Sequence, residues 1–281
     1  NLKCPICCAN ANSAGYVYEP EFETVVDMLK LLRAQRPVPC PAVQFSGGEP
    51  TIYPRFFDII KVARELGFAQ VQAATNGIEF AKSVDFCRKA SEAGLNTLYL
   101  QFDGLRPEIY ERARGKNLLD VKQKVIDNYR KVPNHPSIVL VPTIVKGVND
   151  DQVWPILEHA IKNNDVVRGV NYQPVAFTGR ITTEELEKGR YTLTDLIHDI
   201  ERQSAGRVRA TDWFPVPTVV AVSELVSAIA GRNMVTFTNH VHCGLATYLF
   251  VKDVDNIVPV TRFVEVEALF EDKGAGNVER R

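Results

Sequence analysis

Apolar residues recur along this chain in two alternating rhythms. Val25, Val26, Leu29 and Leu32 fall at helical spacing within residues 23–33, and Pro37, Pro39 and Pro41 end that pattern. Residues 42–45 then read as a short apolar strand running into Ser46-Gly47-Gly48-Glu49-Pro50. A helix over 56–66 is expected to close at Gly67 in a left-handed cap. A strand over 71–74 ends in Thr75-Asn76-Gly77, and a helix over 84–93 ends at Gly94. A third strand, 97–102, ends in Asp103-Gly104 and is followed by an irregular segment and a helix over 118–129. The fourth strand, 138–144, ends in Lys146-Gly147-Val148-Asn149-Asp150; a helix over 153–162 and a fifth strand over 167–173 complete the series.

Strand, loop and helix repeated with apolar strands predict an α/β fold whose parallel sheet is buried on both faces. Such sheets carry their chemistry at the carboxyl ends of the strands. The unusual residues fall there: Gly-Gly-Glu after the first strand, Thr-Asn-Gly after the second, Asp-Gly after the third, Lys-Gly-Val-Asn-Asp after the fourth and Gln173-Pro174 after the fifth. Each loop alone is also an ordinary turn, since Asn-Gly and Asp-Gly are common turn formers. Their shared position on one rim is the stronger signal.

Composition narrows the setting. A net charge of -1 over 281 residues offers no electrostatic case for nucleic acid or an anionic membrane. No apolar run approaches the eighteen residues of a membrane span. Six cysteines in 281 residues are too sparse for a disulfide scaffold, so a reducing, cytoplasmic compartment is expected. The chain begins in mid-loop at Asn1 and is read as a fragment whose natural start lies upstream.

Cys4, Cys7 and Cys8 crowd into five positions near that start. Thiols separated by two residues on a tight turn point their sulfurs at one metal. Cys4-Pro5-Ile6-Cys7 also has the spacing of a redox dithiol, and a pair of reduced structural thiols is the plainest alternative. On the rim, Gly47 and Gly48 let backbone approach a ligand and Glu49 suits a cationic amine. Asn76 and Asp103 suit ribose hydroxyls, with an Asx-turn as the alternative for each.

The opening Asn1-Leu2-Lys3-Cys4-Pro5-Ile6-Cys7 resembles the end of the C-N-L-x-C-x-x-C loop of radical S-adenosylmethionine enzymes, and Gly47-Gly48-Glu49-Pro50 after a strand resembles their second motif. The resemblance implies a partial (β/α)6 barrel lacking its first strand, over residues 1–180, with an α+β extension over 181–281. It implies a 4Fe-4S cluster held by Cys4 and Cys7 with a first cysteine immediately before Asn1, a position Cys8 cannot fill at the family's spacing. It further implies S-adenosylmethionine against Ile6, Gly47, Gly48, Glu49, Asn76, Asp103 and the segment from Thr143 to Asn149. Reductive cleavage of that cofactor would yield a 5'-deoxyadenosyl radical that abstracts hydrogen from substrate, and a closed, largely apolar barrel interior suits such chemistry.

The last hundred residues depart from the repeat. A helix is expected over 192–203, another over 220–230 after the kinked Asp212-Trp213-Phe214-Pro215, and strands over 246–251 and 257–260. His240-Val241-His242-Cys243 offers donors for an auxiliary iron-sulfur cluster through Cys243, against a buried structural thiol. The two ends together, including Pro259-Val260-Thr261-Arg262-Phe263, resemble the group containing archaeal tetraether lipid synthase, whose relatives are labelled 7,8-dihydro-6-hydroxymethylpterin methyltransferases. That resemblance implies carbon-carbon coupling of lipid chains, with Trp213 and Phe214 lining an apolar groove, peripheral membrane contact, and an electron donor such as ferredoxin or flavodoxin. A radical methyltransferase acting on a pterin, a peptide-modifying radical enzyme and a non-catalytic zinc module are the alternatives. A lipid calls for an apolar tunnel, and a pterin or peptide for a polar pocket.

Overall fold

The computed structural model describes residues 1–7, 15–176, 184, 189–231, 235–236, 238–266 and 268. The chain divides into two compact units, Asn1–Tyr191 and Thr192–Arg281. The divide expected after residue 180 lies outside the described residues, as does Cys8.

The first unit runs α1 (Phe22–Arg33), β1 (Ala42–Phe45), α2 (Phe56–Glu65), β2 (Gln70–Thr75), α3 (Ile78–Lys82), α4 (Val84–Ala93), β3 (Thr97–Gln101), α5 (Pro107–Arg114), α6 (Leu119–Tyr129), β4 (Ser137–Val141), β5 (Thr143–Ile144), α7 (Val153–Lys162), β6 (Val167–Val170) and β7 (Gln173–Pro174). Five strands form one sheet in the order β1-β2-β3-β4-β6, every pair parallel. Because each crossover steps in the same direction and such crossovers are right-handed, the helices gather on one face and the sheet is an arc of a (β/α) barrel.

Register decides what each face carries. Phe45, Ala73 and Leu98 align across β1, β2 and β3, as do Thr75, Leu100 and Leu140 across β2, β3 and β4. These side chains are buried beneath the helices with Ile138, and each large one contributes about 1.5–3 kcal/mol by leaving water. The opposite face aligns Gln44 with Gln72, Ala74 with Tyr99 and Val139, and Gln101 with Val141. It is only half-buried, and Gln44 is exposed. The sheet is therefore not buried on both faces as its apolar strands suggest, and the expected apolar interior is instead a surface with glutamine and tyrosine on it.

Two expected elements change. The irregular segment after Asp103 contains α5, started by Pro107 in its first turn and closed by Gly115 at φ 77°. Proline at the start and glycine just past the end are ordinary helix punctuation, so that signal was present in the sequence. The fourth strand breaks at Pro142, which has no N–H for the ladder; β4 pairs with β3 and β6, whereas β5 pairs with β7.

In the second unit, the helix Leu193–Gln203 starts at a capping box in which Thr192 and Asp195 exchange hydrogen bonds. Phe214–Pro215 pairs antiparallel with Leu245–Ala246, and Leu249–Val251 with Ile257–Pro259. Asp212 is buried and accepts from Arg209 N at 2.7 Å, Thr261 Oγ1 at 2.8 Å and Arg262 Nη2 at 3.0 Å, which ties these segments together. The helix Val219–Ala230 leaves Leu225, Val226 and Ile229 exposed.

Candidate functional site

The loop after β1 is open where its glycines lie. Gly47 has φ 144°, in the region that favours glycine, and a Cβ on either Gly47 or Gly48 would meet nothing within 4 Å. Backbone there is free to lie against a ligand. Glu49 turns inward and is buried. Its Oε1 accepts from Thr51 N at 3.2 Å, Thr51 Oγ1 at 2.6 Å and Thr75 Oγ1 at 2.7 Å. Its Oε2 accepts from Asn76 N at 2.8 Å, so this carboxylate fastens the β1 loop to the end of β2 and keeps Oε2 the less occupied oxygen.

Asn76 forms the expected Asx-turn, its Oδ1 accepting from Ile78 N at 3.0 Å, and its Nδ2 donates to Asn1 Oδ1 at 2.8 Å. That second bond draws the amino-terminal segment onto the rim. Gly77 follows at φ 83°, where a Cβ would lie 2.7 Å from Leu100 Cδ1 and 3.0 Å from Val125 Cγ2.

Asp103 is fully buried. Arg114 Nε donates to its Oδ2 and Arg114 Nη2 to its Oδ1, both at 2.8 Å; Thr143 N donates to Oδ1 at 3.1 Å, and Gln101 Nε2 donates to Oδ2. With four donors on its two oxygens, Asp103 anchors Arg114. Burial raises its pKa, but the adjacent guanidinium and these hydrogen bonds outweigh that and hold it below the ordinary carboxylate range.

Asn149 is likewise buried and fully engaged. Its Nδ2 donates to Asp103 O at 2.8 Å and Thr143 O at 2.9 Å, and its Oδ1 accepts from Val145 N at 2.8 Å. It staples the end of β3 to β5. Thr143 Oγ1 accepts from Arg114 Nη2 at 3.1 Å.

Sequence reasoning missed three members of this network: Gln101, Arg114 and Lys122. Lys122 is fully buried on α6, donating to Asn76 O and, at 3.2 Å, to Gln101 Oε1. Burial pushes its amine down to about 7, with Asp103, Glu49 and Cys4 partly opposing and Arg114 reinforcing. The signal was a lysine on the same helix face as Val125, Ile126 and Tyr129, the buried face of α6.

The cysteine turn meets these loops. Cys7 N donates to Cys4 O at 3.2 Å, and Cys4, Ile6 and Cys7 are all half-buried. A Cβ on Gly115 would lie 3.7 Å from Lys3 O, so the end of α5 packs on the turn. The Asn1–Asn76 hydrogen bond and the packing of Gly115 on Lys3 O set the turn beside the loops that carry Asn76 and the end of α5. Two soft thiols on one turn and bare glycine backbone on a rim loop suit an anionic metal-sulfur group with a small zwitterion near it.

In the second unit Cys243 is exposed, with Cys243 N donating to His240 O at 2.8 Å and the rings of His240 and His242 5.2 Å apart. The buried-thiol alternative does not hold for it. Among the described residues no three His, Cys, Asp or Glu side chains converge as a metal site. Phe214 is buried against Tyr248, as core rather than groove.

The family model described as the Radical SAM superfamily matches residues 1–160. A Methanocaldococcus jannaschii protein named 7,8-dihydro-6-hydroxymethylpterin dimethyltransferase is 49% identical over 271 residues, 96% of this chain and 53% of that protein. A Limosilactobacillus fermentum GTP 3',8-cyclase is 29% identical over 179 residues, 62% of this chain and 48% of that protein. The chain thus spans about half the length of these curated relatives. Among solved structures, Streptococcus suis SuiB bound to precursor peptide SuiA superposes with a TM-score of 0.55 at 17% identity, over 86% of this chain and 47% of that one. Methylornithine synthase gives 0.53 at 16% identity, over 73% and 59%. These last two likenesses concern the fold.

Proposed function

This chain belongs to the Radical SAM superfamily, whose members use a 4Fe-4S cluster and S-adenosylmethionine, and from that premise we propose that it is the radical core of a methyltransferase acting on a pterin-type heterocycle. The observation that carries the reading is the 49% identity over 96% of the chain to a protein named as a pterin dimethyltransferase. The half-buried face with Gln72 and Tyr99 supports it, because a polar heterocycle needs hydrogen-bonding partners that an alkyl chain does not. The lipid-coupling expectation has no counterpart among the relatives named above.

Cys4 and Cys7 would hold the cluster, whose contribution when bound would be one-electron reduction of the sulfonium. The chain's own residues do the holding. Gly47 and Gly48 admit the methionine end, and Glu49 Oε2 offers its amine an acceptor. Asn76 and Thr143 border the space, and Ile6 gives the cysteine turn its apolar side. Lys122 and Arg114 keep the strand ends at fixed separations, so that the cofactor meets a rigid rim. The electron comes from a small donor protein of the ferredoxin or flavodoxin kind. No helix among the described residues is long and apolar enough to cross a membrane.

The test is the full-length protein, reconstituted anaerobically with iron and sulfide and supplied with S-adenosylmethionine, a strong reductant and a reduced hydroxymethylpterin. Methylated pterin together with 5'-deoxyadenosine is expected. Formation of 5'-deoxyadenosine above a Cys4→Ala control, with isoprenoid lipid coupled and pterin untouched, would overturn the substrate assignment and leave the family reading intact.

A further inference from the structure

Four basic side chains stand exposed around the cysteine turn. Lys3 is on the turn itself, next to Cys4, and Lys116 follows Gly115, whose Cβ position lies 3.7 Å from Lys3 O and 4.0 Å from Pro5 Cδ. Arg112, one helical turn before Lys116, donates from Nη1 to Gly147 O at 3.3 Å, which sets it against the loop carrying Lys146. These two contacts join three separate segments into one patch. Among the described residues none of the four forms an ion pair, whereas Lys30, Lys82, Arg88 and Lys162, exposed elsewhere in this unit, each pair with a nearby carboxylate. The carboxylates beside the patch in sequence are Glu111 and Asp150, whose Oδ1 accepts from Gly147 N at 2.8 Å; Asp151 is taken by Arg106. A chain of net charge -1 thus gathers positive charge beside Cys4.

We propose that Lys3, Arg112, Lys116 and Lys146 form the docking surface for the protein that delivers the electron, and that this partner presents an acidic face around its own redox group. The inference rests on the reading of Cys4 and Cys7 as cluster ligands. One electron leaves the donor and is taken up at the group these thiols would hold; no bond forms or breaks and no proton moves with it. Cys4 and Cys7 are half-buried, so a partner seated on Lys3 and Lys116 comes against the turn itself. Encounters between redox proteins bury little area, and complementary charge sets how fast they meet. The field of such a patch reaches about 10 Å into 0.1 M salt. Bases spread over three exposed segments suit a broad protein face better than a small anion, which needs polar groups converging in a cleft.

The experiment measures binding of oxidised flavodoxin, an acidic protein, to the reconstituted full-length protein by calorimetry at low ionic strength. Wild type is compared with the double variant Arg112→Glu, Lys116→Glu and with Glu111→Lys. The double variant is expected to bind about tenfold more weakly or worse, and Glu111→Lys more tightly. Raising ionic strength to about 0.15 M, where charges act over about 8 Å, is expected to shrink both differences. Reduction of the iron by flavodoxin hydroquinone, followed by stopped-flow absorbance, is expected to slow in the double variant. The wild-type rate is expected to return when photoreduced deazariboflavin, a small uncharged molecule, replaces flavodoxin. Equal affinities in all three proteins at low salt overturn the proposal. So does a double variant altered only in its KM for the reduced pterin, which would make the patch a substrate site. If the double variant takes up no iron, Glu111→Lys decides, and failure to tighten binding overturns the proposal. Wild-type protein that forms no 5'-deoxyadenosine with deazariboflavin would instead strike at the ligand reading, because flavodoxin binding is measured without turnover.

Discussion

Asp103 and Arg114 are joined by two parallel contacts of 2.8 Å, with the carboxylate at 0% and the guanidinium at 11% side-chain exposure. A buried pair of this kind is costly to half-remove, because the surviving charge cannot return to water. Asp103→Asn is therefore expected to destabilise the fold by about 3–5 kcal/mol, read by urea unfolding. Removing the exposed partner of a helix-surface pair, as in Lys82→Gln beside Glu79, is expected to cost under about 1 kcal/mol. Because the Asp103 carboxyl is held below its ordinary value of 3.8, its stabilisation is present above that pH and is lost as pH falls below it. The acid limb of the stability profile should flatten in Asp103→Asn.

Lys122 predicts a slope on the alkaline side. Its amine titrates near 7 in the folded protein against 10.5 ordinarily, so between those values the unfolded chain binds the extra proton. Stability is therefore expected to rise from about pH 7 toward 10.5 and to fall again as pH is lowered through that window. Lys122→Met should remove this rise. Unfolding free energies of the two proteins from pH 7 to 10 that run parallel would refute it.

Two glycines on neighbouring loops predict opposite outcomes. Gly77→Ala must adopt φ 83° with its Cβ 2.7 Å from Leu100, and a loss of about 1–3 kcal/mol in stability is expected. Gly48→Ala meets open space, so stability should stay within about 0.5 kcal/mol while S-adenosylmethionine binding weakens. Calorimetry beside thermal melting separates the two.

Glu49→Gln keeps the shape of the hub that joins Thr51, Thr75 and Asn76 but removes its charge. The cofactor amine should then bind more weakly by about 1.5–3 kcal/mol, the range for a hydrogen bond to a charged group. Equal affinity of the Glu49→Gln variant and the wild-type protein by calorimetry would leave Glu49 a purely structural hub.

The amino-acid order by itself determined the sequence of elements and the loops that hold the site. Apolar spacing and turn residues are local signals, legible over a few positions, and so β1 with its Gly-Gly-Glu loop, β2 with Asn76 and the Cys4 turn could all be read directly. Only the tertiary structure decided what the polar residues on that rim face. Asp103 and Asn149 sit at strand ends like ligand contacts, yet Arg114, eleven residues on, and Thr143, forty residues on, claim the Asp103 carboxylate, while Asn149 is consumed in stapling β3 to β5. Lys122 and Gln101 join them through contacts that no periodicity encodes, because a buried polar group takes whichever partner the packed chain brings within about 3 Å, and that partner is chosen by register and helix placement.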